Sequence, residues 1–151
     1  MQKHIEVTAL TPAMVEACAQ LYCTTYRSAP WYETWDSSIS IIAFLENHLA
    51  NNYFLGYVIK LNNTIVGACI GFQKPWNQGV EYYIDEFFIH PDHQGQGLGS
   101  TLMRYAQEEC IKRNLNAIIL NTERGFPSEN FYKRNNFTVH EGLIIMSKSV
   151  S

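Results

Sequence analysis

The chain lacks the features that would mark it as a nucleic-acid, membrane or secreted protein. Its 11 Lys and Arg stand against 14 Asp and Glu, a formal net charge of −3, with a pI near 5.9. That argues against nucleic acid as the main partner, because phosphate binding needs a basic face. No apolar run approaches the roughly 18 residues of a membrane span. No charged n-region followed by a long apolar stretch opens the sequence, so the expectation is a cytoplasmic protein with no membrane association. Cys18, Cys23, Cys69 and Cys110 form no C-x-x-C pair, which points to buried free thiols in preference to disulfides. No Gly-x-Ser-x-Gly occurs and no cysteine has an evident partner, so a covalent acyl-enzyme has no obvious nucleophile. Charge runs, low-complexity tracts and internal repeats are absent too.

What is present is one domain's worth of chain, residues 1–151, with 46% hydrophobic and 13% aromatic residues to fill a core. Residues 3–9 alternate as a strand. Thr11-Pro12 is a helix start, a hydroxyl followed by Pro at the first helical position. Val15, Cys18, Ala19, Tyr22 and Tyr26 then keep helical spacing, and the helix should end before Pro30. Asp36-Ser37-Ser38 offers caps for a second helix with Ile39, Ile42, Leu45 and Leu49 on its apolar side. Residues 53–61 and 64–73 read as strands joined by a two-residue turn at Asn62-Asn63. Residues 74–79 make the next turn and 80–90 a third long strand. A helix over about 98–113 carries an inner stripe of Leu98, Leu102, Ala106 and Cys110. A strand over 116–122, a short helix over 128–135 and a last strand over 137–148 complete the pattern. The order is β-α-α-β-β-β-α-β-α-β, an α/β chain with one mixed central sheet flanked by helices.

The most specific motif joins the third long strand to the helix after it. Residues 83–99 read Tyr-Ile-Asp-Glu-Phe-Phe-Ile-His-Pro-Asp-His-Gln-Gly-Gln-Gly-Leu-Gly. A strand, a Gly-rich loop and a helix in succession place free backbone N–H groups at a helix N-terminus, where an anion is favoured. It is not a Walker A loop, because no Lys-Ser/Thr follows the glycines. It also misses the third glycine of a dinucleotide fingerprint and the acidic ribose ligand about 20 residues on. Spacing alone leaves open a loop that merely needs glycines to turn.

Gln94-Gly95-Gln96-Gly97-Leu98-Gly99 resembles the Q/R-x-x-G-x-G/A signature of the GNAT acetyltransferase superfamily. Asn130-Phe131-Tyr132-Lys133-Arg134-Asn135-Asn136-Phe137 is similar to that family's N-x-Y-x-x-x-G-F segment. Asn136 stands where Gly is usual, a mild departure because Asn tolerates the left-handed backbone. The element order is the one expected of a GNAT fold. The resemblance implies acetyl-CoA as co-substrate, its pyrophosphate held by Gln94, Gly95, Gln96, Gly97, Leu98, Gly99 and Ser100, with Asn130 contacting or orienting it. It further implies a strand bulge that frees backbone N–H groups near Phe88 and Ile89, with Phe87 beside them, for the thioester carbonyl and the pantetheine arm.

Acetyl transfer to an amine needs a base, an oxyanion donor and a stabilised leaving thiolate. Asp85 and Glu86 sit in an otherwise apolar strand, where adjacent residues should point to opposite faces. Burial raises a carboxylate's pKa towards neutrality, and Glu86 holds the position that in similar proteins often carries the base, directly or through water. Glu81 and Glu123 are secondary candidates. Tyr132 matches the family's proton donor to the thiolate. Full transfer from a tyrosine with a pKa of about 10 to a thiolate of about 8.5 is uphill by roughly 2 kcal/mol, so a hydrogen bond to the sulfur is the other reading. His90 and His93 flank Pro91-Asp92, but no third ligand stands at a known spacing; no metal is expected, and His93 is placed near the phosphates.

Ala29-Pro30-Trp31-Tyr32-Glu33-Thr34-Trp35 is an aromatic-acidic loop suited to a cationic amine. Trp31, Tyr32, Glu33 and Asp85 are therefore assigned to the acceptor. The pattern resembles small-molecule acetyltransferases of the aminoglycoside type, so a small amine is expected. Alternatives are a protein amino terminus or side-chain amine, and a non-catalytic acyl-CoA-binding domain. The last would need neither Glu86 nor Tyr132. A homodimer is compatible with the fold.

Overall fold

The alternating opening segment forms β1 (Ile5–Ala9), and Pro12 starts a short 3-10 turn that runs into α1 (Val15–Arg27). The computed structural model, which describes residues 3–150, continues with α2 (Ile39–Ala50), β2 (Phe54–Leu61), β3 (Thr64–Trp76), β4 (Gly79–Ile89), α3 (Leu98–Lys112), β5 (Ala117–Leu120) and α4 (Pro127–Arg134). Nine elements thus follow the predicted order as far as α4. By its internal contacts the chain divides into two units, one through Asn121 and one from Thr122 onward.

In the first unit the sheet runs β1-β2-β3-β4-β5. The first four strands are antiparallel and β5 joins β4 in parallel, as expected when a helix crosses between two strands. Asn62 and Asn63 make the β2–β3 turn with φ of 52° and 68°. That is the double left-handed pattern that a two-residue hairpin demands and Asn accepts. β3 and β4 run further than the sequence suggests, to a tight turn at Asn77-Gln78. Pro75 is tolerated because β3 has outrun β2 there, whose last pair is Phe54 with Phe72, leaving an edge that asks nothing of the missing N–H.

Apolar alternation divides the sheet into two faces. Val58, Ala68, Ile70 and Phe88 join Val15, Cys18, Ala19, Leu21, Ile41 and Leu45 of α1 and α2 in one core. On the opposite face Tyr57 packs edge-on against Tyr105 of α3 at 5.5 Å. There the predicted stripe of Leu98, Leu102, Ala106 and Cys110 is buried. Along α2 the inner face is Ile41 and Leu45, while Ile39 is 74% exposed. Ile39 is the first helical residue, and the helix carries it off the sheet. All four cysteines are free and buried.

The second unit contains α4. Glu129 braces it at both ends, accepting the Gly125 N–H at 2.8 Å and pairing with Lys133 at 2.9 Å. The helix closes on Asn136, at φ 70°. The Asn136 N–H reaches the Lys133 carbonyl at 3.1 Å and the Phe137 N–H reaches that of Tyr132 at 3.0 Å, the paired bonds of a Schellman cap. Asn136 thus does the work of the expected glycine. The predicted strand over 137–148 does not form. The chain turns instead at His140–Leu143, with a 3.2 Å N–H to carbonyl bond, and residues 138–150 are exposed. Gly142 interrupts the strand-prone run, and β propensity supplies no ladder partner by itself.

Candidate active site

A single extra residue in β4 decides the geometry of the site. Glu86 pairs with Ile70, and Ile84 pairs with Gly71, so Asp85 has no counterpart on β3 and forms a bulge. Side chains alternate along a strand, and one inserted residue reverses the alternation beyond it. Tyr82 and Ile84 face α3. Without the bulge Glu86 would follow them; with it Glu86 turns to the α1 side.

There two tyrosines meet Glu86. Tyr22 donates to its Oε1 at 3.4 Å and Tyr26 to its Oε2 at 3.1 Å. These residues are four apart on α1 and so lie on one helix face. Burial pushes the Glu86 carboxyl up from 4.5 to about 7, partly offset by the Tyr26 and Tyr22 hydrogen bonds and reinforced by the negative charges of Asp85 and Glu33. Burial likewise drives Tyr22 well above its ordinary range, with the Glu86 charge adding to it. Tyr22 is therefore a standing donor to the carboxylate.

Asp85 also lies on the α1–α2 side. Its Oδ2 is 2.7 Å from His48 Nε2 of α2. The expectation that the two carboxylates occupy opposite faces is therefore incorrect, because the bulge brings both to one face. The strand bulge expected from the family resemblance is present, at Asp85, but it does not free Phe88 and Ile89 from β3. Those residues stay in the β3 ladder, opposite Ala68 and Gly67. On the other side β5 pairs with residues 81–84 of β4, and among the described residues no strand pairs with that edge from Asp85 onward. Phe88 packs against Tyr22 and Tyr26 at 5.6 and 5.9 Å. Phe87, half-buried, points the other way, as does Ile89.

The loop after α1 completes a wall around Glu86. Trp31 meets Tyr26 edge-on at 4.9 Å, and Trp35 meets Tyr22 at 5.6 Å. The Glu33 N–H donates to the Tyr26 carbonyl at 2.7 Å, the Trp35 indole donates to Glu33 Oε1 at 2.9 Å, and Arg27 donates to the Trp35 carbonyl. Trp31 thus joins the cluster around Glu86 through Tyr26, and Glu33 acts on Glu86 through its charge. Tyr32 does not join the cluster; it is 72% exposed and takes no part in the ring contacts.

At the far end of β4 the Gln94 amide donates to the Ile89 carbonyl at 2.9 Å and ties the glycine loop to the strand. Gly95 and Gly97 have φ of 76° and 82°, and a Cβ added at either would meet nothing within 4 Å. Backbone conformation, then, and not crowding by the protein, calls for glycine. Gly97 caps α3, and Leu98 is buried beneath the first turn. Gln96 is exposed, while Gly99 and Ser100 are half-buried in that turn, where backbone N–H groups point out of the helix end. His90 Nδ1 accepts the Asp92 N–H at 3.0 Å. Among the described residues no group of three or more His, Cys, Asp or Glu could hold a metal ion.

Asn130 and Tyr132 lie on α4, in the second unit. Asn130 is exposed, and Tyr132, 9% exposed, packs between Phe131 and Phe137 at 5.3 and 5.4 Å. Glu81, a secondary candidate, is buried at the start of β4, and Glu123 is exposed. Sequence reasoning missed Tyr22, Tyr26 and His48. Two hydroxyl-bearing rings in an otherwise apolar helical stripe were the available signal for the tyrosines.

Comparisons with known proteins agree with the fold. An aminoglycoside N-acetyltransferase in complex with CoA superposes with a TM-score of 0.79 over 99% of this chain and 98% of its own, at 13% identity. An aminoglycoside acetyltransferase from an uncultured soil metagenomic sample, in complex with sisomicin, gives 0.77 over 97% of both chains at 16% identity. A ribosomal-protein-alanine N-acetyltransferase from Brucella melitensis biovar Abortus gives 0.73 over 98% and 99% at 15% identity. At such identities the likeness establishes the fold. No curated protein sequence matches. The model of the acetyltransferase (GNAT) family matches residues 15–137, most of the chain, and the protein belongs to this family of acyltransferases.

Proposed function

We propose that the chain, as a single domain, moves an acetyl group from acetyl-CoA to a primary amine of a small cationic molecule. The observation that carries this reading is Glu86. It is a carboxylate with a pKa of about 7, held by two tyrosine hydroxyls inside a cup of Tyr22, Tyr26, Trp31, Trp35 and Phe88. Aromatic faces and the carboxylates of Glu86 and Glu33 suit an ammonium group. A base with a pKa near neutrality can then accept its proton, directly or through one water.

In the proposed reaction the amine nitrogen attacks the thioester carbonyl. Glu86 takes the proton lost from nitrogen. The tetrahedral intermediate collapses with cleavage of the C–S bond, and the thiolate leaves. The edge of β4 that faces away from β3 is where the backbone N–H groups of Phe87 and Ile89 can meet the carbonyl oxygen and the pantetheine arm, whereas the Phe88 N–H faces β3, as the His90 N–H does in bonding to Val66. Residues 94–100 cradle the pyrophosphate through backbone N–H groups at the start of α3. Asn130 and Tyr132 take the cofactor-contact and thiolate-donor roles that the family resemblance implies. Direct attack is favoured over a cysteine acyl-enzyme because burial lifts the Cys18, Cys69 and Cys110 thiols to about 11 to 12, far from the thiolate that such chemistry requires.

The test is product mass after incubation with acetyl-CoA and a panel of amines: polyamines, aminoglycosides, amino acid esters and peptides with free amino termini. A gain of one acetyl group on small polycationic amines is expected. Acetylation of peptides alone would shift the acceptor to protein. No product with any amine, despite acetyl-CoA binding, would leave a non-catalytic acyl-CoA-binding domain.

A further inference from the structure

His48 has no part in the scheme above, yet its contacts fix its protonation. It lies in the last turn of α2. Its Nδ1 is 3.1 Å from the Phe44 carbonyl oxygen and its Nε2 is 2.7 Å from Asp85 Oδ2. A carbonyl oxygen only accepts, so Nδ1 carries a proton. An ionised carboxylate also only accepts, so Nε2 carries one as well. The ring that satisfies both contacts is the imidazolium, and its pair with Asp85 is neutral as a unit. The Phe44 ring lies 4.2 Å from the imidazole and limits its rotation. Asp85 is itself the inserted residue of the bulge. Anchoring its carboxylate to α2 holds β4 in the register that turns Glu86 towards Tyr22 and Tyr26.

We propose that His48 is a positioning residue: it pins the bulge through Asp85 and offsets part of the Asp85 charge that bears on Glu86. This deepens the acetyl-transfer reading and rests on it. The groups facing Glu86 are Tyr22 and Tyr26 from α1, Glu33 from the following loop and Asp85 from its own strand. Those facing His48 are Asp85 and the Phe44 carbonyl.

The test uses His48→Gln and the double variant His48→Gln with Asp85→Asn. Removing the imidazolium exposes the Asp85 charge to Glu86, which disfavours its ionised form. The acid limb of kcat/KM should move up by about half a pH unit, the effect of one further charge acting on Glu86 across a partly solvated site. The double variant removes both charges and should return the limb to the wild-type position. A merely structural role would lower the rate of both variants and leave the limb in place, and that result overturns the proposal. So does a double variant whose limb stays displaced. The Asp85 side chain is 33% exposed, so its carboxylate tolerates loss of the partner and both variants should fold; failure of either to fold overturns the proposal. The same shifts can be read by carboxyl-carbon NMR titration of Glu86 without turnover. Absence of acetyl transfer and failure of this inference are therefore distinguishable.

Discussion

Glu86→Gln should stabilise the protein at alkaline pH and not at acid pH. The folded state raises the Glu86 pKa from 4.5 to about 7, so the folded protein binds this proton more tightly than the unfolded chain. Stability therefore falls as pH rises: the penalty is absent below pH about 4.5, grows between 4.5 and 7, and is complete above about 7. A rise of that size corresponds to about 3 kcal/mol. Gln keeps the shape and the hydrogen bonding, since its carbonyl accepts from one tyrosine and its amide donates to the other hydroxyl oxygen. Its only large effect is removal of the buried charge. Urea denaturation at pH 5 and pH 8.5 measures this directly. The difference between variant and wild type should be about 2 to 3 kcal/mol more favourable to the variant at pH 8.5, or roughly 4 to 10 °C in Tm for a chain of this size. A difference equal at the two pH values would refute the buried, proton-holding carboxylate.

The other perturbations test neighbouring parts of the site. Tyr26→Phe removes a hydrogen bond that lowers the Glu86 pKa, so the acid limb of kcat/KM should move to higher pH; an unmoved limb would remove Tyr26 from the base's environment. Gly97→Asp places an anion in the open space before α3 and forces φ 82° on a side chain, at about 1 to 2 kcal/mol of strain. It should abolish the melting-temperature shift with acetyl-CoA, which for wild type at about 100 times Kd reflects roughly 2.7 kcal/mol; a retained shift would take the loop out of cofactor binding. Tyr132→Phe keeps the ring packing against Phe131 and Phe137 and should lower kcat more than it weakens acetyl-CoA binding. No loss of kcat would make Tyr132 a packing residue.

Much of the fold is legible because local chemistry and final structure agree. Asn62-Asn63 fits a turn that needs two left-handed residues, and the stripe from Leu98 to Cys110 has the period of one helix face. Asn136 sits where the backbone must turn left-handed. Legibility fails where distant parts of the chain decide. The bulge at Asp85 depends on how β4 sets its register against β3, and no local preference of Ile-Asp-Glu-Phe announces one extra residue. Strand alternation therefore gave the wrong face for one carboxylate of the pair, and the partnership of His48 with Asp85 stayed hidden. Tyr22 and Tyr26 read as core residues, which they partly are; only their placement opposite the bulge gives their hydroxyls a carboxylate to hold. The stretch 137–148 has strand composition, but a strand also needs a neighbour for its backbone groups, and composition says nothing of that.

The pH dependence of thiol release from acetyl-CoA, with a polyamine acceptor, compares wild type and Glu86→Gln most directly. The account predicts that wild-type kcat/KM falls below pH about 7 as Glu86 takes up its proton. It also predicts that the variant loses about a hundredfold or more in rate and shows no such limb, while its acetyl-CoA affinity is unchanged. A variant with the wild-type rate and the same acid limb would contradict the assignment of Glu86 as the base.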